Sequence, residues 1–285
     1  MVKHFQFGLL LVLISSPLAQ PLYSQEQSAA THVANDELIA VYEGSLPIII
    51  SAPHGGRKSI PGLIARTGVG LETGGKGFFA GRDLGTEELA LDVIDAIERE
   101  MGGEPFAVIN RVHRKFLDVN RPMDIGTESE QAQPIYREYH SSLANFCRQV
   151  QNRFRGGLLL DLHGQKSDPE TVFRGTQNGR TVALLQQRFG ASAHDGDESL
   201  FGLLQSQGWK VFPEPVNGKE QSGFTGGYIV QSYGSHTAFG IDAIQLEFGN
   251  SFRSKENRKK TAKQLAVAIN MYCDLYLKSA MTAGR

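Results

Sequence analysis

Leu158-Leu159-Leu160-Asp161-Leu162-His163-Gly164 decides how this chain is read: an unbroken apolar run of strand length that ends on a histidine and a glycine. A run of that kind bounded by turn signals reads as a strand buried on both faces, the sort found in parallel sheets. Two further segments repeat the design, Ile48-Ile49-Ile50-Ser51-Ala52-Pro53-His54-Gly55-Gly56 and Ala243-Ile244-Gln245-Leu246-Glu247-Phe248. Each brings a His or a Glu to the C-terminal edge of a strand, where open α/β sheets collect their ligands. Two histidines with carboxylates are enough to hold zinc and leave one position for water, so the pattern points to metal-assisted hydrolysis.

Around these segments, apolar runs at 38–42, 48–51, 106–112, 157–162 and 241–248 read as strands. Helical periodicity separates them. Residues 86–101 repeat Leu89, Val93, Ile94 and Ile97, residues 134–154 do so less regularly, and 255–277 carry an apolar face from Ala262 to Leu277. The alternation predicts a single α/β domain with a mainly parallel or mixed central sheet and helices on both faces. Three stretches, 57–82, 122–133 and 212–238, are rich in Gly, Pro and polar residues. Loops of that length in a compact domain are usually functional or disordered, and because each adjoins a candidate site residue they read as the walls of a site mouth.

The 285 residues carry a formal net charge of −1 and no dense Lys/Arg block, which gives no electrostatic case for nucleic acid or an anionic membrane surface. At the N-terminus, Lys3 and His4 precede the apolar run 7–14 and then small residues, with cleavage expected after Ala19 or Ser24. The expectation is a signal peptide at 1–24, with an uncleaved membrane anchor as the alternative, a polar lead-in at 25–36 and the domain at 37–285. The protein is then exported to a periplasmic or extracellular compartment, with no stable membrane association after cleavage. An oxidising compartment would permit Cys147 and Cys273 to pair, but both fall at apolar helix positions, and buried free thiols are the equal alternative.

His54 follows a strand and Pro53 and precedes two glycines, so its imidazole is presented and not packed. His163 has the same placement, and Asp161, two residues earlier on the strand, faces the same side and can support it. For a third ligand the acidic candidates are Asp83 and Glu87, although either also suits the start of a helix. His113, His140, His194 and His236 lie outside the strand-end pattern, His236 being the likeliest exception among them. The segment 112–122 packs Arg114, Asp118, Asn120 and Arg121 directly after a strand, and an Arg fork suits a substrate carboxylate or a developing oxyanion. Glu247 ends a strand buried on both faces, where a carboxylate needs a partner or a task; beside a metal the task is general base.

In order along the chain, the set Pro53-His54-Gly55-Gly56, Asp83, Arg114 with Asp118-Val119-Asn120-Arg121, Asp161-Leu162-His163-Gly164, Gly226-Gly227-Tyr228-Ile229 and Gln245-Leu246-Glu247 resembles the N-formylglutamate amidohydrolase family. The resemblance implies a zinc exopeptidase-like (phosphorylase/hydrolase-like) fold and one Zn2+ per chain held by His54, Asp83 and His163, with Asp83 favoured over Glu87. It further implies Glu247 as the base that activates water. Arg121, with Asn120, Arg114 and Tyr228, would bind a small-molecule or short-peptide substrate through its carboxylate, and Arg121 is also a catalytic candidate, an Arg helping to hold the negative tetrahedral intermediate. The sequence departs from related patterns in two places. Arg57 stands where an H-x-x-E pair would put its Glu, so the remaining ligand is remote, and Gly55 and Gly164 replace residues that are often Ser. Export makes a zinc carboxypeptidase or a cell-wall peptide amidase the rival enzyme, and a non-catalytic exported carboxylate-binding protein the rival of another class.

Overall fold

The computed structural model describes Met1 and residues 38–74 and 77–278. Beyond Met1, the expected leader and lead-in lie outside the described residues. Among the described residues no helix is long and apolar enough to cross a membrane.

In chain order the elements are β1 (Ile39–Tyr42), β2 (Ile48–Ala52), α1 (Thr86–Met101), β3 (Phe106–Asn110), α2 (Met123–Gly126), α3 (Gln133–Phe154), β4 (Leu158–Gly164), β5 (Thr171–Gly175), α4 (Ala183–Phe189), α5 (Ser192–Asp195), α6 (Leu200–Ser206), β6 (Lys210–Phe212), α7 (Tyr228–Tyr233), β7 (Asp242–Phe248), α8 (Asn250–Arg253) and α9 (Arg258–Tyr276). The strands form one mixed sheet in the order β1-β3-β2-β4-β7-β5-β6. Its centre, β3-β2-β4-β7, is parallel, while β1 and β5 run antiparallel to their neighbours β3 and β7. The α/β expectation holds.

The alternation of side chains along a strand sorts the chain into two cores. Ile48, Ile50, Leu158, Leu160, Leu162, Ile244 and Leu246 face α1, α6 and α9. Ile49, Leu159 and Ala243 face α3 and α7. By the same parity Ser51, Asp161, His163, Gln245 and Glu247 lie on the α3/α7 side. Helix α1 forms because Leu89, Ala90, Val93 and Ile97 make one buried stripe, and it stops at Gly102, whose positive φ lets its N–H return to Glu98 O at 2.9 Å.

Several features differ from the sequence reading. Strands β5 and β6 were not expected: β5 carries Arg174 at a buried position, which breaks the apolar pattern, and β6 has only three residues. Arg174 is tolerated because its Nε donates to Glu220 Oε1 at 3.2 Å and its Nη1 to His194 O. Helices α2 and α7 occupy parts of the expected loops. Cys147 is in the core on one side of the sheet and Cys273 in the core on the other; both are buried free thiols, pushed up to about 12 by burial. The sheet between them leaves no route to a bridge.

Candidate metal centre

His54 emerges two residues past the end of β2, and its backbone carbonyl accepts the Asp83 N–H at 3.0 Å, which draws the start of the α1 segment against the strand end. His163 is the sixth residue of β4. The three side chains converge although 109 positions separate the two histidines: His54 Nδ1 to His163 Nδ1 is 3.2 Å, and Asp83 Oδ2 lies 3.5 Å from the first and 3.4 Å from the second. All three residues are buried.

The outward nitrogens explain what the inward ones are. His54 Nε2–H donates to Asp118 Oδ1 at 2.8 Å, and His163 Nε2–H donates to Asp161 Oδ2 at 2.8 Å. A neutral imidazole that donates from Nε2 presents a lone pair at Nδ1. Two lone pairs and a carboxylate oxygen then face one point at close range, a repulsive arrangement unless a cation lies between them. Ligand bonds of about 2.0–2.1 Å at tetrahedral angles place donor atoms about 3.3–3.4 Å apart, which is the spacing found here. Carboxylates on the far nitrogen are the usual means of fixing a ligating histidine. The residues present therefore fit a divalent metal.

The supporting carboxylates are themselves held. Asp118 accepts from Arg114 Nε at 2.7 Å and from the Asn120 backbone N–H. Asp161 Oδ1 accepts from Ser51 Oγ at 2.7 Å, which in turn meets Tyr139 Oη. Burial alone would raise the Asp118 carboxyl, but the Arg114 charge and the hydrogen bond from His54 outweigh it and hold it well below the ordinary range. Asp83 is likewise held below the ordinary carboxylate range although burial opposes its ionisation. Gly164 N–H also donates to Asp83 Oδ2. A Cβ on Gly164 would come within 2.5 Å of Arg253 Cζ, so a side chain there requires the Arg253 guanidinium to shift.

Glu247 Oε1 lies 4.0 Å from His163 Nδ1, and His163 and Glu247 are register partners on β4 and β7. Burial pushes the Glu247 carboxyl up to about 7 against the lowering influence of His163. Its orientation is set by Gln245: Gly227 N–H donates to Gln245 Oε1 at 2.7 Å, which turns Gln245 Nε2 toward Glu247 Oε1 at 2.9 Å. The centre sits in a cleft of about 890 Å³ whose wall includes Arg114, Asn120, Arg121, Tyr228 and Arg253. Arg121 donates to Gly77 O and Asn120 O, and Asn120 Oδ1 accepts the Ile229 N–H at the start of α7. Arg114 gives Nε to Asp118, while its terminal nitrogens bond no other described residue and its guanidinium lies 4.9 Å from the Phe79 ring.

Glu87, the other candidate for a third ligand, is turned away to Arg111 at 3.6 Å. Of the remaining histidines, His140 bridges Tyr233 and Val119 O beneath the wall, His194 meets Thr176 in the buried Arg174 network, and neither His113 nor His236 lines the cleft. Sequence reasoning assigned no task to Asp118 or Gln245. Asp118 was visible as a polar residue in a charged loop and as part of the motif set that carries the resemblance, but its partner His54 is 64 positions away.

No family model matches the chain. Among curated proteins, the N-formylglutamate deformylase of Pseudomonas putida is 24% identical over 262 residues, 80% of this chain and 90% of that relative. Among solved structures, the N-formylglutamate amidohydrolase of Ralstonia eutropha JMP134 aligns with a TM-score of 0.53 at 16% identity, over 85% of this chain and 98% of that one. The N-acetylmuramyl-L-alanine amidase of Mycobacterium smegmatis aligns with a TM-score of 0.35 at 13% identity, over 80% of this chain and 97% of the other.

Proposed function

We propose that this chain, related in sequence and fold to the N-formylglutamate amidohydrolase family, is an exported zinc-dependent amidohydrolase that cleaves an amide beside a free carboxylate. The observation that carries the reading is the inward-facing triangle of His54 Nδ1, His163 Nδ1 and Asp83 Oδ2 with Glu247 beside it on the cleft floor. His54, Asp83 and His163 would hold the metal. When bound there, a divalent cation supplies a Lewis acid for the amide carbonyl and lowers the pKa of water.

The chain's own groups do the rest. Glu247 takes a proton from the attacking water at its carboxylate and returns it to the leaving nitrogen, while Gln245 keeps that carboxylate from rotating. Asp118 and Asp161 hold the two imidazoles in the tautomer that keeps both Nδ1 atoms unprotonated. Arg114 offers its terminal nitrogens to the substrate carboxylate, with Arg121, Asn120 and Tyr228 shaping the same wall.

The test is to purify the chain without residues 1–24, measure bound metal, and assay N-formylglutamate beside a panel of N-acyl amino acids and short peptides, with and without chelator. About one zinc per chain with chelator-sensitive cleavage is expected; absence of both metal and turnover after zinc is restored would replace the reading with carboxylate binding. Asp118→Asn and Asp161→Asn should each weaken metal affinity by about 10–100-fold, measured by competition with a chelator of known affinity. Unchanged affinity in both variants would remove the supporting role. Arg114→Ala should raise KM by about 10–100-fold for a carboxylate substrate and far less for its carboxamide analogue. Equal losses on the two substrates would count against Arg114 as the anchor.

A further inference from the structure

Resting on that reading, we propose that the natural substrate carries an apolar acyl group several carbons long, received by an aromatic subsite built around Phe224 on the β5 side of the metal centre. The layout of the sheet carries the argument. Arg114 follows β3, the histidines belong to β2 and β4, Glu247 to β7, and Phe224 lies over β5. Strands are about 4.8 Å apart, so the cleft crosses about 19 Å from the β3 end to the β5 end. One residue of substrate reaches about 3.6 Å. A formyl amino acid gripped at Arg114 therefore ends near the metal centre, and the part of the cleft beyond Glu247 meets nothing of it.

That part is built and not incidental. Phe173, the register partner of Glu247, stacks with Phe224 at 4.9 Å and meets Phe212 at 5.4 Å. Phe173 is buried and Phe224 half-buried, with Phe224 in the cleft wall beside Gln177 and Tyr228. The wall is held in place from behind. Glu220 accepts the backbone N–H groups of Thr176 and Asn178 and the Arg174 Nε, and Gln177 Nε2 donates to Gly226 O at 2.7 Å. Gly226 rests directly on Gly175, where a Cβ would come within 2.6 Å of Gly226 N. Phe224 is the phenylalanine that this part of the cleft presents, with Phe173 and Phe212 behind it and Gln177, Ser222 and Thr225 around it; an aromatic ring ordered in advance stabilises an apolar ligand without further ordering cost, and clefts of about 300–1,000 Å³ suit ligands well above the size of a formyl amino acid. The 890 Å³ found here lies near the upper end of that range. In the reaction the amide C–N bond breaks, the water oxygen joins the acyl carbon to give a free fatty or aromatic acid, and the amine leaves with a proton.

The experiment is a series of N-formyl, N-acetyl, N-butyryl and N-hexanoyl derivatives of one amino acid, assayed with zinc-loaded protein. Each buried methylene should raise kcat/KM about fourfold, so butyryl should exceed formyl by about 60-fold. A butyryl-to-formyl ratio of about tenfold or more supports the subsite, and a smaller ratio overturns it while leaving the hydrolase reading intact. If no member of the series is cleaved, formyl included, both fall. Phe224→Ala should lower the butyryl-to-formyl ratio by about tenfold and Phe224→Leu should restore most of it. A ratio unmoved in Phe224→Ala, with metal content retained, would overturn the assignment to Phe224.

Discussion

Glu247→Gln is expected to lower turnover by about 10²–10⁴-fold, the range associated with loss of a general base, while zinc content and fold are retained. The substitution suits the site because Gln keeps an oxygen that can accept from Gln245 Nε2, so the side chain stays where the carboxylate was. It also removes no member of the His54, Asp83 and His163 triangle. What it removes is a group able to take and return a proton. Elemental analysis, circular dichroism and steady-state kinetics on the same preparation separate the outcomes. Near-normal turnover at full metal occupancy would take Glu247 out of the chemistry; lost metal would make it a ligand instead.

Asp83→Ala should have the second large effect, on metal and activity together. Without Asp83 the two Nδ1 lone pairs stand alone, since the remaining close carboxylate, Glu247, is 4.0 Å from His163 Nδ1. The loss in metal affinity should exceed the about 10–100-fold expected for the supporting carboxylates. The natural control is Glu87→Gln, four positions along, whose carboxylate pairs with Arg111 outside the centre. Isothermal titration with zinc should show strong binding in Glu87→Gln and little in Asp83→Ala. The reverse pattern would reassign the third ligand. Because a ligand that binds only the folded chain raises its stability by mass action, zinc should also raise the thermal midpoint of wild type and leave Asp83→Ala nearly unmoved.

Three buried strands leading to His54, His163 and Glu247 were legible from sequence because an apolar run of strand length is a local signal: it depends on each segment alone. The parallel centre of the sheet and the long helices followed for the same reason. Strand β5 was not legible, because Arg174 disguises it and its partner Glu220 lies 46 positions away. The expected signal peptide and export remain proposals, since beyond Met1 those residues lie outside the described structure.

The site divides along the same line. Sequence alone determined the candidate residue types, two histidines and a glutamate at strand ends, because strand-end placement is written in the apolar run that precedes each. It left Asp83 and Glu87 level, since both are acidic residues at one helix start, and only the resemblance favoured Asp83. Tertiary structure separates them by direction: Asp83 Oδ2 turns to the two imidazoles and Glu87 to Arg111. It also decided which nitrogen of each histidine faces inward, through Asp118 and Asp161, and how Glu247 is aimed, through Gln245 and Gly227. These are contacts between segments far apart in the chain, and their geometry exists only once the sheet has set the order of its strands.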